Sequence, residues 1–80
     1  MKTRSFTEIE NAERSDIGKI AVLGMGSWTI AIEDTLEKCI EVMQSIDPAY
    51  EDFTMDTFAH PSTANYGDII AVEVVDDDLE

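Results

Sequence analysis

Apolar positions along the chain fall into three organised stretches with different spacings. Residues 19–24 (KIAVLG) are β-branched and apolar, and residues 28–33 (WTIAIE) alternate, with Trp28, Ile30 and Ile32 sharing one face. Gly24-Met25-Gly26-Ser27 lies between them as a turn signal, so 19–33 reads as a β-hairpin. Next, Leu36, Cys39, Ile40, Met43 and Ile46 recur at helical spacing. Asp34 and Glu37 have capping-box spacing, which predicts a helix over about 35–46. Residues 69–75 (IIAVEVV) are almost continuously apolar, which predicts a central strand covered on both faces.

Two segments admit two readings each. Ser5 and Glu8 fit a capping box, and Phe6 and Ile9 would face inward from a short helix over 5–14; an edge strand competes. Asp47-Pro48 ends the main helix and can open another, with Asp47 as N-cap and Pro48 at the first helical position. Tyr50, Phe53, Thr57 and Phe58 fit a helical face over 48–58, whereas Phe53, Met55 and Thr57 fit a strand. His60 to Gly67 reads as a loop, marked by Pro61, Asn65 and Gly67. The expected fold is α+β: a small, largely antiparallel sheet with one or two helices on one face. Leu36, Ile40, Met43 and Ile46 should pack against Ile20, Val22, Ile70 and Val72.

Composition sets the scale. Eighty residues, 44% of them hydrophobic, suit one small domain with a modest core rather than a disordered acidic tail. No apolar run approaches the ~20 residues that span a bilayer. The basic N-terminal start is followed by no apolar segment of the secretory kind. With the lone Cys39, this leads us to expect a reducing cytoplasm.

Charge changes the picture most. The net charge is −13, and all five bases (Lys2, Arg4, Arg14, Lys19, Lys38) precede position 39. From Cys39 onward there are eleven acids and no Lys or Arg. Such a surface repels nucleic acid and anionic lipid and attracts basic proteins. Glu37 and Glu41 lie one helical turn apart, ~6 Å. Asp47 with Glu51, and Asp52 with Asp56, repeat the spacing if 48–58 is helical. Only Asp34–Lys38 offers a compensating pair. Rows of this kind fit either a solvated face or an imitation of a phosphate backbone. Asp76, Asp77 and Asp78 close the chain's last strand and act either as part of that surface or as protection for a sheet edge.

Enzyme and cofactor chemistries find little support. Gly24-x-Gly26 after a strand suggests a dinucleotide turn, but Thr29 stands where a third glycine belongs and the chain is too short for a doubly wound sheet. Asp34-Thr35-Leu36 places threonine where an acyl carrier protein needs serine. One Cys and one His do not make a structural zinc site. The three consecutive aspartates lack the alternating ligands and central glycine of a calcium loop. Cys39 lies in an apolar stripe, and His60 precedes Pro61 in a loop, so neither is expected to be catalytic.

In size, acidity and lack of enzyme motifs the chain resembles small phage-encoded inhibitors of bacterial defence, the anti-CRISPR and anti-restriction proteins, several of which are DNA mimics. The resemblance is compositional and carries over no site. It implies an inhibitor, without cofactor or metal, that occupies the basic DNA or RNA channel of an effector in the host cytoplasm. The carboxylates expected to make that contact are Glu37, Glu41, Asp47, Glu51, Asp52, Asp56, Asp76, Asp77 and Asp78. The rival expectation is an adaptor subunit anchored by Trp28, Tyr50 or Tyr66. A homodimer is compatible with either.

Overall fold

A computed structural model describes residues 2–24, 28–60 and 62–76. Its centre is the strand Ile69–Val75 (β4), which has a strand on each side. On one side runs Ile20–Gly24 (β2), antiparallel, pairing Ala21 with Val72 and Leu23 with Ile70. Trp28–Glu33 (β3) pairs antiparallel with β2 and forms one edge. Thr3–Ser5 (β1) pairs parallel with β4 and forms the other, giving the order β1-β4-β2-β3. The fold is therefore α+β, with a four-stranded, mostly antiparallel sheet, one main helix and short 3-10 turns. The hairpin and the last strand lie where the residue pattern places them.

The helix, Leu36–Ile46 (α1), begins one residue later than the Asp34 cap implies. Thr35 is the N-cap, its Oγ1 accepting from the Lys38 amide at 3.2 Å. Threonine in extended backbone satisfies one of the free amides of the first turn. Cys39 and Met43 are fully buried and Leu36 and Val42 pack beside them. Ile46, expected inside, is 64% exposed. It closes the last turn, and Val42 completes the buried stripe instead.

The sheet has a different cover on each face. Val22, Ala31 and Ala71 face α1, together with Ile20, Ile30 and Ile69. Ala21, Leu23, Ile70, Val72 and Val74 face the opposite way, under Phe6, Ile9, Ala12 and Ile17 of the N-terminal segment and Ala59 and Ala64. The expected packing of α1 on Ile70 and Val72 is thus corrected: successive residues of a strand point to opposite faces, and Ile69 and Ala71 are the ones beneath the helix. Trp28, Ile30 and Ile32 do not share a face either. The register shifts between Val22 and Leu23, so Ile30 is an extra residue in β3. The bulge leaves Ile30 on the helix side and turns Ile32 to the opposite face, against the cluster of Ala21, Leu23 and Ile70.

The two ambiguous segments form short 3-10 turns, and the first of them follows directly on the edge strand β1. After β1, Ser5 caps a single 3-10 turn, Phe6–Glu8, accepting from the Thr7 amide at 3.2 Å, and Phe6 and Ile9 do face the core. Residues 48–58 form two 3-10 turns, Pro48–Tyr50 and Met55–Thr57. Asp47 caps the first through Oδ1 on the Ala49 amide at 2.9 Å, and Thr54 caps the second. Two caps seven residues apart restart the backbone before a full helix can form. Gly18 has φ +95°, the left-handed conformation that lets the chain turn into β2 while its amide bonds the Val74 carbonyl at 2.9 Å.

Candidate partner-binding surface

Topology sorts the charges by layer. The chain from Glu33 to Phe58 builds the α1 side and contains Glu33, Asp34, Glu37, Glu41, Asp47, Glu51, Asp52 and Asp56 against the single base Lys38. The N-terminal segment on the other face balances Lys2, Arg4, Arg14 and Lys19 against Glu8, Glu10, Glu13 and Asp16. Arg4 belongs to that face by its register with Val74. Among the charges of these two segments the net acidity thus lies on the α1 side of the sheet.

Within the acidic layer, Glu37 and Glu41 are exposed on adjacent turns of α1, as their spacing requires. Asp47, Glu51, Asp52 and Asp56 are also exposed, but they do not form helical rows, because 48–58 is broken into turns. The segment is nonetheless held against the helix. Gln44 Nε2 reaches the carbonyls of Glu51 and Phe53, each at 3.4 Å. Phe53 lies edge-to-face with Tyr50 (centroids 6.0 Å apart) and Phe58 (4.8 Å), and all three pack on the α1 side of the sheet. The Asp34–Lys38 pair is not among the ion pairs of the described residues.

Asp76 is placed differently. Its Oδ2 pairs with Arg14 Nη1 at 3.0 Å, and the Arg14 guanidinium also stacks 5.0 Å from the Phe6 ring centroid. Asp76 thereby ties the end of β4 to the N-terminal segment. Asp77 and Asp78 lie outside the described residues. Glu73 was not a candidate from the sequence, yet it is exposed and faces the α1 side by alternation from Ala71. The period of two in β4 is the signal that could have found it.

The other candidate groups have local partners. Cys39 is buried under α1, with its thiol 3.5 Å from the Ile20 carbonyl. Burial pushes that thiol's pKa up, since the thiolate would lose its hydration; a hydrogen bond from the Glu33 backbone offsets part of this, and the Glu33 charge adds a smaller upward push. His60 is exposed, and its Nδ1 lies 2.6 Å from Ser62 Oγ. Gly24 ends a strand and Trp28 begins the next, so the stretch around Gly24 is a hairpin; Gly26 lies outside the described residues. A Cβ at Gly24 would overlap the six-membered ring of Trp28, so the indole lies directly over the glycine. Of the proposed aromatic anchors, Tyr50 is half-buried in the core, whereas Trp28 and Tyr66 are 41% and 87% exposed. No helix among the described residues is long and apolar enough to cross a membrane.

Compared with known proteins, the chain matches no family model, no curated protein and no solved structure.

Proposed function

We propose that this protein binds a basic, nucleic-acid-binding effector of the CRISPR or restriction type and inhibits it by occupying its DNA or RNA channel. The observation that carries the reading is the one-sided charge. The α1 layer presents Glu37, Glu41, Asp47, Glu51, Asp52 and Asp56 outward, and Lys38 is its one base. A surface of this kind neutralises lysines and arginines that otherwise hold phosphates, and releases their counterions on binding. It has no affinity of its own for nucleic acid, whose charge it shares. Asp77 and Asp78 add to the anionic charge.

The test is inhibition of DNA cleavage by a panel of CRISPR and restriction effectors. Inhibition by a slight molar excess, relieved by added competitor DNA, is the expected result. An effector that binds DNA and this protein together would remove the reading. The adaptor alternative draws on one observation, the exposed rings of Trp28 and Tyr66. It predicts a partner lost on Trp28→Ala and indifferent to salt.

A further inference from the structure

Among the described residues β3 is an edge strand with no strand paired along its outer side, and its tie to the N-terminal segment is through a side chain, the Thr29 hydroxyl donating to the Glu10 carbonyl at 2.7 Å. Among the described residues its only backbone-to-backbone hydrogen bonds are those of its ladder with β2. The direction of its free groups follows from the sheet. The Val74 amide donates to the Lys19 carbonyl and the Gly18 amide to the Val74 carbonyl, both at 2.9 Å, so Val74, Val72 and Ile70 turn their backbone toward β2. Ala21 and Leu23 answer them, and Ile20 and Val22 turn toward β3. Their partners Glu33 and Ala31 point back, which leaves the N–H and C=O of Ile32 directed off the sheet.

Edge strands in stable proteins are usually blunted by lysine, proline or a bulge. β3 has neither lysine nor proline, and its bulge at Ile30 leaves 31–33 in regular register. The surroundings select the occupant. Glu33 and Asp34 end the strand, and α1, which packs against β3, presents Glu37 and Glu41 outward beside Lys38. A second copy of this chain would bring another −13 against the first. At the other end Trp28, lying over Gly24, offers an exposed ring to a guanidinium.

From these features we infer that the outer edge of β3 accepts an extended, lysine- or arginine-bearing segment of a partner protein as a fifth strand on the four-stranded sheet. The edge supplies backbone hydrogen bonds, and the acids of α1 and the strand end supply charge selection. The occupant's charge rests on the proposed function; the strand pairing rests on the sheet alone.

The test uses the whole protein, labelled for amide NMR, and a synthetic peptide alternating lysine and valine. Controls are a glutamate–valine peptide and the lysine–valine peptide N-methylated at every residue, which keeps the charge but has no main-chain donor for a ladder. The lysine peptide is expected to slow exchange of the Ile32 amide by about tenfold or more, as an amide drawn into a ladder is slowed. The methylated peptide should bind at least about tenfold more weakly, having lost its main-chain donors. Equal binding of the methylated and unmethylated peptides overturns the strand pairing while leaving charge-driven binding intact. Equal binding of the lysine and glutamate peptides instead removes charge selection, and with it the proposed partner. An Ile32 amide already protected in the free protein, in a species of twice the mass, would show that a second copy occupies the edge and overturn the inference.

Discussion

Replacing Met43 by alanine tests the helix register and the core together. Met43 is fully buried between α1 and the sheet, beside Val22, Ala31 and Ala71. The substitution removes Cγ, Sδ and Cε, worth about 2.4 kcal/mol at roughly 0.8 kcal/mol per methylene-sized group. The cavity left behind adds to this, for a total of about 2–5 kcal/mol. At about 0.05–0.15 kcal/mol per residue, a chain of this length has roughly 4–12 kcal/mol of stability, so the loss is a large share of it. Ile46, on the same helix but mostly exposed, should cost no more than about 0.5 kcal/mol on the same change. Urea unfolding followed by circular dichroism separates the two. With a slope of about 1–2 kcal/mol per molar, Met43→Ala should lower the midpoint by at least about 1 M, and Ile46→Ala hardly at all. Equal shifts for the two variants would refute the register described here.

Other outcomes follow from single contacts. Gly24→Ala should destabilise by about 1–3 kcal/mol because its Cβ meets the Trp28 ring; in a Trp28→Ala background the penalty should shrink by more than about 0.5 kcal/mol, and an additive cycle would dismiss the contact. Burial raises the Cys39 pKa, so folding favours the neutral thiol; that stabilisation is complete below the unfolded value of about 8.5 and is lost as pH rises through the folded value. Unfolding free energy should therefore fall on the alkaline side in the parent and stay flatter in Cys39→Ala, and equal slopes would reject the argument. Self-repulsion at −13 should make the melting temperature rise as salt goes from ~10 to ~150 mM; a steady fall would point to specific ion pairs as the dominant electrostatic contribution.

Much of the fold is legible in local pattern. The run IIAVEVV does form the central strand, and α1 ends at Ile46 as its spacing implies. What pattern could not give was facing. A near-continuous apolar strand does not reveal which of its two residue sets lies under the helix, and here Ile69 and Ala71 are that set. In β3 the alternation of Trp28, Ile30 and Ile32 was a valid period-two signal, broken by a bulge that only pairing with β2 reveals. The parallel pairing of Thr3–Ser5 with β4 depends on a partner some seventy residues away, beyond any local window. The acids of α1 were legible because helical spacing fixes their separation. Asp76 was not, since its partner Arg14 lies 62 residues earlier.

The central claim is that the acids of the α1 side make the contact with a basic partner. It is tested most directly by the salt dependence of affinity for an effector that the protein inhibits. The parent should be compared with Glu37→Gln/Glu41→Gln/Glu51→Gln/Asp52→Asn and with the opposite-face variant Glu8→Gln/Glu10→Gln/Glu13→Gln. Affinity of the parent should fall steeply between ~50 and ~200 mM salt. The α1-side variant should bind more weakly, with its slope reduced by roughly one for each contact removed, whereas the opposite-face variant should track the parent. An α1-side variant with unchanged affinity and unchanged slope would contradict the account.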